Sequence, residues 1–223
     1  MRSQLNKIGL KIKPGTLVKP QVTIPALPIC NLGAVANMVH KCGGEAFITG
    51  TPQDLYRAQR IILAGVGAFD AGMRALEEGG WLKPLNDIAK RGQVPIHGIC
   101  LGMQLMCRRS EEGVLPGLGW FDADVKRIIL PPGSRLKVPH MGWNTLNIHS
   151  ANALLSSKSD EQRFYFVHSY HVVCDDSVDV VASTTHGVDL TAAISRGHLY
   201  GTQFHPEKSH RFGMALIQNL LEL

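Results

Sequence analysis

The chain has 223 residues, 44% of them hydrophobic and 18% charged, which is enough apolar material for a sizeable core and excludes a mainly disordered chain. Its net charge of +5 hints at nucleic acid, yet Arg2, Lys7, Lys11, Lys13 and Lys19 sit in an acid-free leader and the remaining residues balance, so no nucleic-acid partner is expected. No apolar run approaches the roughly 18–20 residues of a membrane span and no signal-like apolar segment precedes a small-residue cleavage site, so no membrane partner and a cytoplasmic location are expected.

Residues 1–20 read as a basic extension with three readings open. Ile8, Leu10 and Ile12 alternate with Gly9, Lys11 and Lys13, as in an edge strand guarded by lysines. Pro14-Gly15 and Lys19-Pro20 interrupt that pattern and favour a disordered arm, and a targeting segment is the third reading. Residues 21–223 then read as one domain without repeat, low-complexity tract or linker.

Strands are expected at residues 21–24, 46–49, 60–64 and 94–100, and helices at 34–42, 72–78 and 81–90, with Gly43-Gly44, Gly79-Gly80 and Gly92 as stops. Strands alternating with helices imply crossover connections and a largely parallel sheet covered on both faces. From about residue 124 the strands crowd together, at 124–130, 138–148, 163–173, 178–184 and 190–194, so this half should contain antiparallel pairs. A helix over 209–223 closes the chain, with Phe212, Leu216, Ile217, Leu220 and Leu221 on one stripe. The fold class is therefore α/β.

Cys30, Cys42, Cys100, Cys107 and Cys174 are odd in number and lack C-x-x-C spacing, which argues against a disulfide framework or a zinc site. Neither a metal nor a cofactor is implied. One cysteine stands apart. Val94 to Cys100 is an apolar strand that runs into Gly98-Ile-Cys100-Leu-Gly102 and then into a helical sequence, the thiol form of a strand–nucleophile–helix turn. Small residues on either side permit a sharp turn, and the helix start favours a thiolate. By itself the pattern also fits a buried cysteine in a glycine-rich turn.

A base is offered by Thr202-Gln-Phe-His-Pro-Glu-Lys208. Cysteine attack needs an imidazole to accept the thiol proton, and a carboxylate holds that imidazole in its useful tautomer. Pro206 stiffens the backbone between His205 and Glu207. A lone His-x-Glu is commonly solvated surface; its coincidence with the cysteine turn favours catalysis. Gly65-Val-Gly67, directly after a strand, lets backbone N–H groups approach a substrate as an oxyanion hole requires, with a plain turn or a phosphate loop as the competing readings.

Gly98-Ile-Cys-Leu-Gly-Met-Gln104 together with Phe204-His-Pro-Glu207 resembles the triad, or class I, glutamine amidotransferases. Gly65-Val-Gly-Ala-Phe69, Pro139-His-Met-Gly-Trp-Asn144, Tyr165-Phe-Val-His-Ser-Tyr170 and Gly201 to Ser209 narrow the resemblance to the glutaminase subunits of imidazole glycerol phosphate synthases. The resemblance spans about residues 21–223. It implies the class I amidotransferase fold and hydrolysis of glutamine to glutamate and ammonia. Cys100 would be the nucleophile, His205 the proton relay and Glu207 its orienting carboxylate. Backbone groups at Val66 and Leu101 would form the oxyanion hole. Gly67, Gln104, Glu112, His168, Ser169 and Tyr170 would hold glutamine, with the Glu112 carboxylate opposite the substrate ammonium.

The resemblance also implies a partner, a (β/α)₈-barrel cyclase that receives the ammonia and makes imidazole glycerol phosphate and an aminoimidazole carboxamide ribotide in histidine biosynthesis. Asn31, Trp143, Asn144, Tyr165 and Lys208 match positions at or near the docking face; Trp143 and Tyr165 also suit core packing. The rival readings are a glutaminase feeding another synthase, for example in surface-sugar amination, and a catalytically uncoupled binding subunit. Two departures from the family pattern stand out. The family usually opens its first turn with an Asp, Tyr or Thr and glycines before Asn-Leu, whereas here it reads Ile24-Pro-Ala-Leu-Pro-Ile-Cys-Asn-Leu32. Pro25 and Pro28 remove backbone donors and constrain the turn, which puts the docking and coupling role of that loop in doubt. Ala64 replaces a common proline before Gly-Val-Gly, so that segment is expected to be more mobile.

Overall fold

The computed structural model describes residues 19–155 and 161–223. Residues 1–18, and with them almost all of the basic extension, lie outside the described residues.

The first half alternates as the sequence pattern predicts: β1 (Gln21–Pro25), α1 (Leu32–Lys41), β2 (Glu45–Thr49), β3 (Ile61–Gly65), α2 (Phe69–Glu78), α3 (Leu82–Arg91), β4 (Ile96–Cys100) and α4 (Leu101–Leu105). The second half contains β5 (Arg109–Ser110), β6 (Ala123–Arg127), β7 (His140–Thr145), β8 (Asn147–Ile148), β9 (Arg163–His168), β10 (Tyr170–Cys174), β11 (Val180–Thr185), β12 (Asp189–Arg196), β13 (Leu199–Thr202) and α5 (His210–Glu222).

Eight strands form one sheet in the order β2-β1-β3-β4-β13-β12-β11-β8. The five from β2 to β13 are parallel, and β12, β11 and β8 continue the sheet antiparallel. All of β3 is buried, and its residues alternate between two cores. Ile62 and Ala64 join the core shared with α1 and α5; Ile61 and Leu63 join the one shared with α2, α3 and α4. A strand covered on both faces needs a continuous apolar run, which is what residues 61–64 provide. On α5, Leu216, Ile217, Leu220 and Leu221 are buried and Phe212 packs against them, so its predicted stripe is the face that docks.

Two long strands expected in the second half are each divided. Residues 138–148 become β7 and β8, and residues 163–173 become β9 and β10. β9 pairs with β7, whereas β10 leaves that ladder at Ser169 to pair with β6. The change is held locally, because the His168 ring donates from Nδ1 to the Tyr170 carbonyl at 2.8 Å. A propensity reading cannot detect such a break, since both pieces are apolar and β-branched or aromatic. β13 was not anticipated at all. It is four residues long and contains Gly201, yet it lies between β4 and β12 at the centre of the sheet.

A candidate active site where two central strands end

β4 and β13 run parallel in register, with Ile99 opposite Thr202, so their C-terminal ends emerge side by side. The residue after Ile99 is Cys100, and three residues after Thr202 comes His205. That juxtaposition brings together a nucleophile candidate and a base candidate that are far apart in the sequence.

Cys100 has φ 53° and ψ −108°, a backbone conformation that costs an L-residue on the order of 1–3 kcal/mol and persists only where its surroundings enforce it. The enforcement is visible at the flanking glycines. A Cβ on Gly102 would stand 1.7 Å from the Leu63 carbonyl oxygen, and one on Gly98 would stand 2.7 Å from the Gly102 backbone. Close packing of α4 on β3 and β4 therefore requires glycine at both positions and drives the cysteine into its strained turn.

His205 is buried and its Nδ1 is 2.7 Å from Glu207 Oε1. That contact assigns the ring proton to Nδ1 and leaves Nε2, which is buried without a hydrogen-bond partner, free to take a proton. Burial works against the charged imidazolium, but the adjoining Cys100 sulfur and Glu207 carboxylate outweigh it and raise His205 to about 9. The segment is held from behind: His205 N–H donates to the Tyr165 carbonyl at 2.9 Å, Tyr165 N–H donates to Ser209 Oγ at 3.0 Å, and Ser209 Oγ donates to the His205 carbonyl at 2.6 Å.

In front of Cys100 lies a cleft of about 440 Å³. Val66, Leu101, Gly67, Gln104, Glu112, His168, Ser169 and Tyr170 all line it, together with Ala68, Pro139 and Val167, which lie in the quoted motifs without an expected site role. Glu112 also accepts from the Phe69 N–H at 2.9 Å through Oε2. Asp70, unforeseen in the sequence, anchors the same loop by accepting from the backbone of Val114 and Leu115 at 3.1 Å, and those bonds hold its carboxyl below the usual range. His168 is kept neutral, lowered to about 3 chiefly by burial, and its Nε2 accepts from His140 Nδ1 at 3.0 Å.

One predicted donor is engaged elsewhere. The Val66 N–H donates to the Ile29 carbonyl at 2.7 Å, so in this conformation it is not free to serve as an oxyanion donor. Leu101, as the first residue of α4, has no helical carbonyl behind it to consume its N–H. Ala64, expected to loosen its segment, is buried within β3 opposite Ile99.

The five docking candidates separate into two groups. Trp143 is 42% exposed, stacks on His210 with ring centroids 5.4 Å apart, and meets the Tyr165 ring edge-on at 6.3 Å. Lys208 Nζ lies 5.7 Å from the centre of the Tyr165 ring, so these three form one patch beside the histidine segment. The partial exposure of Trp143 decides against simple core packing. Asn31 and Asn144 have internal duties: Asn31 caps α1 by accepting from the Ala34 N–H at 3.2 Å, and Asn144 Nδ2 donates to the Thr185 carbonyl at 2.9 Å.

The comparisons with known proteins agree with this geometry. Residues 51–222 match the family model described as glutamine amidotransferase class-I. The HisH 2 subunit of imidazole glycerol phosphate synthase from Methanococcus maripaludis is 43% identical over 192 residues, covering 86% of this chain and 94% of the relative. The HisH 2 subunit from Pseudomonas aeruginosa is 44% identical over 193 residues, covering 86% and 95%. The chain belongs to the class I glutamine amidotransferases, in the HisH group.

Solved structures support the same fold for this amidotransferase. PurLQS from Thermotoga maritima superimposes with a TM-score of 0.67 at 21% identity, covering 92% of this chain and 98% of that one. A glutamine amidotransferase from Thermotoga maritima gives 0.58 at 17% identity, covering 84% and 76%. At such identities the likeness concerns the fold alone. Among the described residues of this amidotransferase, no helix is long and apolar enough to cross a membrane.

Proposed function

We propose that residues 21–223 form the amidotransferase domain and use a Cys100–His205–Glu207 triad to hydrolyse the side-chain amide of glutamine. The observation that carries this reading is a single cleft that contains Cys100 and every residue predicted to hold glutamine, with the buried His205–Glu207 pair behind the sulfur.

The Cys100 thiolate attacks the amide carbon, and the carbonyl oxygen becomes an oxyanion that the Leu101 N–H stabilises, joined by Val66 once its N–H is released. Imidazolium at His205 gives its proton to the departing nitrogen, so ammonia leaves and a glutamyl thioester remains. His205 then removes a proton from water, the hydroxide attacks the thioester, and glutamate leaves as the thiolate returns. Glu207 holds the ring and stabilises its charged form throughout. One water is consumed for each glutamate and ammonia released.

Ammonia protonated in bulk water is lost as a nucleophile, so the product passes directly to a second subunit. The names of the HisH relatives describe subunits of a synthase, and the partner proposed for this chain is a (β/α)₈-barrel cyclase acting in histidine biosynthesis, in the cytoplasm. The cyclase uses the ammonia to make imidazole glycerol phosphate and aminoimidazole carboxamide ribotide. The patch of Trp143, Tyr165 and Lys208, with Met141 61% exposed on the same strand, β7, as Trp143, is the surface on which it docks. The test is a glutaminase assay with and without the cognate barrel and its nucleotide substrate. Activity that rises with the liganded partner and vanishes in Cys100→Ala is expected; ammonia release that persists in Cys100→Ala removes the triad assignment. Truncation at Gln21 should leave both activity and partner response intact.

A further inference from the structure

A buried chain of side-chain amides ends on the Cys100 sulfur, and the mechanism above makes no use of it. Gln203, with no exposed surface, donates from Nε2 to Cys100 Sγ at 3.6 Å. Its Oε1 accepts from Gln104 Nε2 at 2.9 Å, and the same Gln104 nitrogen donates to the Tyr170 carbonyl at 3.1 Å.

Counting donors fixes the orientation of both amides. A main-chain carbonyl can only accept, so the Gln104 atom facing Tyr170 is its NH₂ group. The second hydrogen of that group faces Gln203, so the Gln203 atom there is oxygen. Gln203 must then turn its own NH₂ group to the sulfur, where it can only donate. Both Gln104 hydrogens are spent in this arrangement, which leaves its Oε1 as the atom available to the cleft that Gln104 lines.

We propose that Gln203 is a positioning residue for the nucleophile: its N–H favours the Cys100 thiolate, fixes the sulfur opposite His205, and joins it through Gln104 to the substrate cleft. A thiolate in a buried site has lost water donors, and a hydrogen bond made to the charged form favours that form. The strained turn sets where the cysteine backbone stands, whereas Gln203 acts on the side chain. A substrate N–H bound to Gln104 Oε1 would polarise the Gln104 amide, then that of Gln203, and so strengthen the donor at the sulfur.

The inference rests on Cys100 being the nucleophile, and the experiment separates the two. Iodoacetamide alkylation of Cys100 is followed by peptide mass spectrometry from pH 5 to 10 in wild type, Gln203→Met and Gln203→Glu, alongside kcat and KM for glutamine and a thermal melt. Gln203→Glu retains the shape and the acceptor for Gln104 but presents a carboxylate to the sulfur. Its alkylation midpoint should rise by about one pH unit or more, a tenfold loss of thiolate at a given pH, with Gln203→Met shifted less in the same direction. The loss should fall on kcat with KM little changed. Midpoints unmoved in folded variants overturn the role of Gln203, while a wild-type chain that is not alkylated at Cys100 removes the nucleophile reading itself. If a variant fails to fold, the side-chain amide of Gln203 in ¹⁵N-labelled wild type carries the test: its protons should shift as Cys100 ionises, and an unchanged signal overturns the proposal.

Discussion

The Val66 N–H is bonded to the Ile29 carbonyl at 2.7 Å, which ties the glycine-rich strand end to the proline-bearing first loop. An oxyanion hole that needs Val66 is therefore incomplete until this bond opens. Loss of one such donor costs on the order of 10²–10³ in kcat. The isolated chain should accordingly be a slow glutaminase, with kcat rising by about that factor when the proposed barrel partner binds with its ligand. Hydrogen exchange supplies the local check: the Val66 amide should be protected in the free chain and lose protection in the liganded complex. Equal protection and equal activity in both states would show that this bond does not hold the enzyme back.

The other four thiols are pushed away from reactivity. Burial, and then the Glu207 charge, raises Cys30 to about 11. Burial, and then Asp179, raises Cys174 to about 12; Cys107 and Cys42 are also raised by burial. Each unit costs a factor of ten in thiolate. A glutamine-like electrophile at limiting concentration should therefore add a single label, at Cys100, because Cys30 and Cys174 hold at least about a hundredfold less thiolate than an ordinary cysteine. Label spread over several cysteines in an intact-mass and peptide-mapping experiment would contradict a specially activated Cys100.

The legible parts of the site were those in which chemistry and backbone demand coincide in a short segment. Gly98-Ile-Cys-Leu-Gly102 reads as a turn because close packing permits nothing larger at either glycine, and His205-Pro-Glu207 reads as a stiff pair because Pro206 separates its members. Long-range pairing left no such local mark. β13 is too short and too glycine-bearing to read as a strand; its place between β4 and β12 is set by neighbours roughly a hundred residues away in one direction. The break at Ser169 was hidden because β9 and β10 have similar composition and differ only in their partners. Gln203 lay inside a recognised motif, but its role depends on Gln104, 99 residues distant. The occupied N–H of Val66 is likewise a tertiary fact, since the residue type says nothing of where its amide points.

Glu207 shares with Cys100 the support of the charge on His205. Against the cost of burial, the Cys100 sulfur and then the Glu207 carboxylate raise the imidazole to about 9, so it remains protonated across neutral pH and can give its proton to the departing ammonia. In Glu207→Gln the ring loses the carboxylate's part of that support, and burial pulls it down. kcat should fall by on the order of 10²–10⁴, and the alkaline limb of the kcat/KM profile should move to lower pH. The stability consequence has the same origin. Because His205 is raised from 6.5 in the unfolded chain, its contribution is complete below about 6.5 and is lost as pH rises toward 9. A pH series of urea melts should show wild type losing more stability than Glu207→Gln between those limits; parallel curves would contradict the assignment.

His168 and His140 should make the fold sensitive to acid in the opposite sense. His168 is lowered to about 3 and His140 to about 4, in both cases chiefly by burial. The contacts already fix both as neutral: His168 Nδ1 donates to Tyr170, His140 Nδ1 donates to His168 Nε2, and Asn144 Nδ2 donates to His140 Nε2 at 3.1 Å. A proton added to His168 Nε2 or His140 Nε2 would face a donor and break the chain. Between about 6.5 and 4 the unfolded state binds protons that the native state refuses, so stability falls as pH falls, by about 1.4 kcal/mol per pH unit for each proton. His140→Gln cannot take up that proton when unfolded and should flatten the slope by about one proton's worth, at the cost of a lower melting temperature near pH 7. Melting temperatures for both proteins from pH 4 to 8 measure this directly, and an unchanged slope in His140→Gln would mean that this pair does not titrate on unfolding.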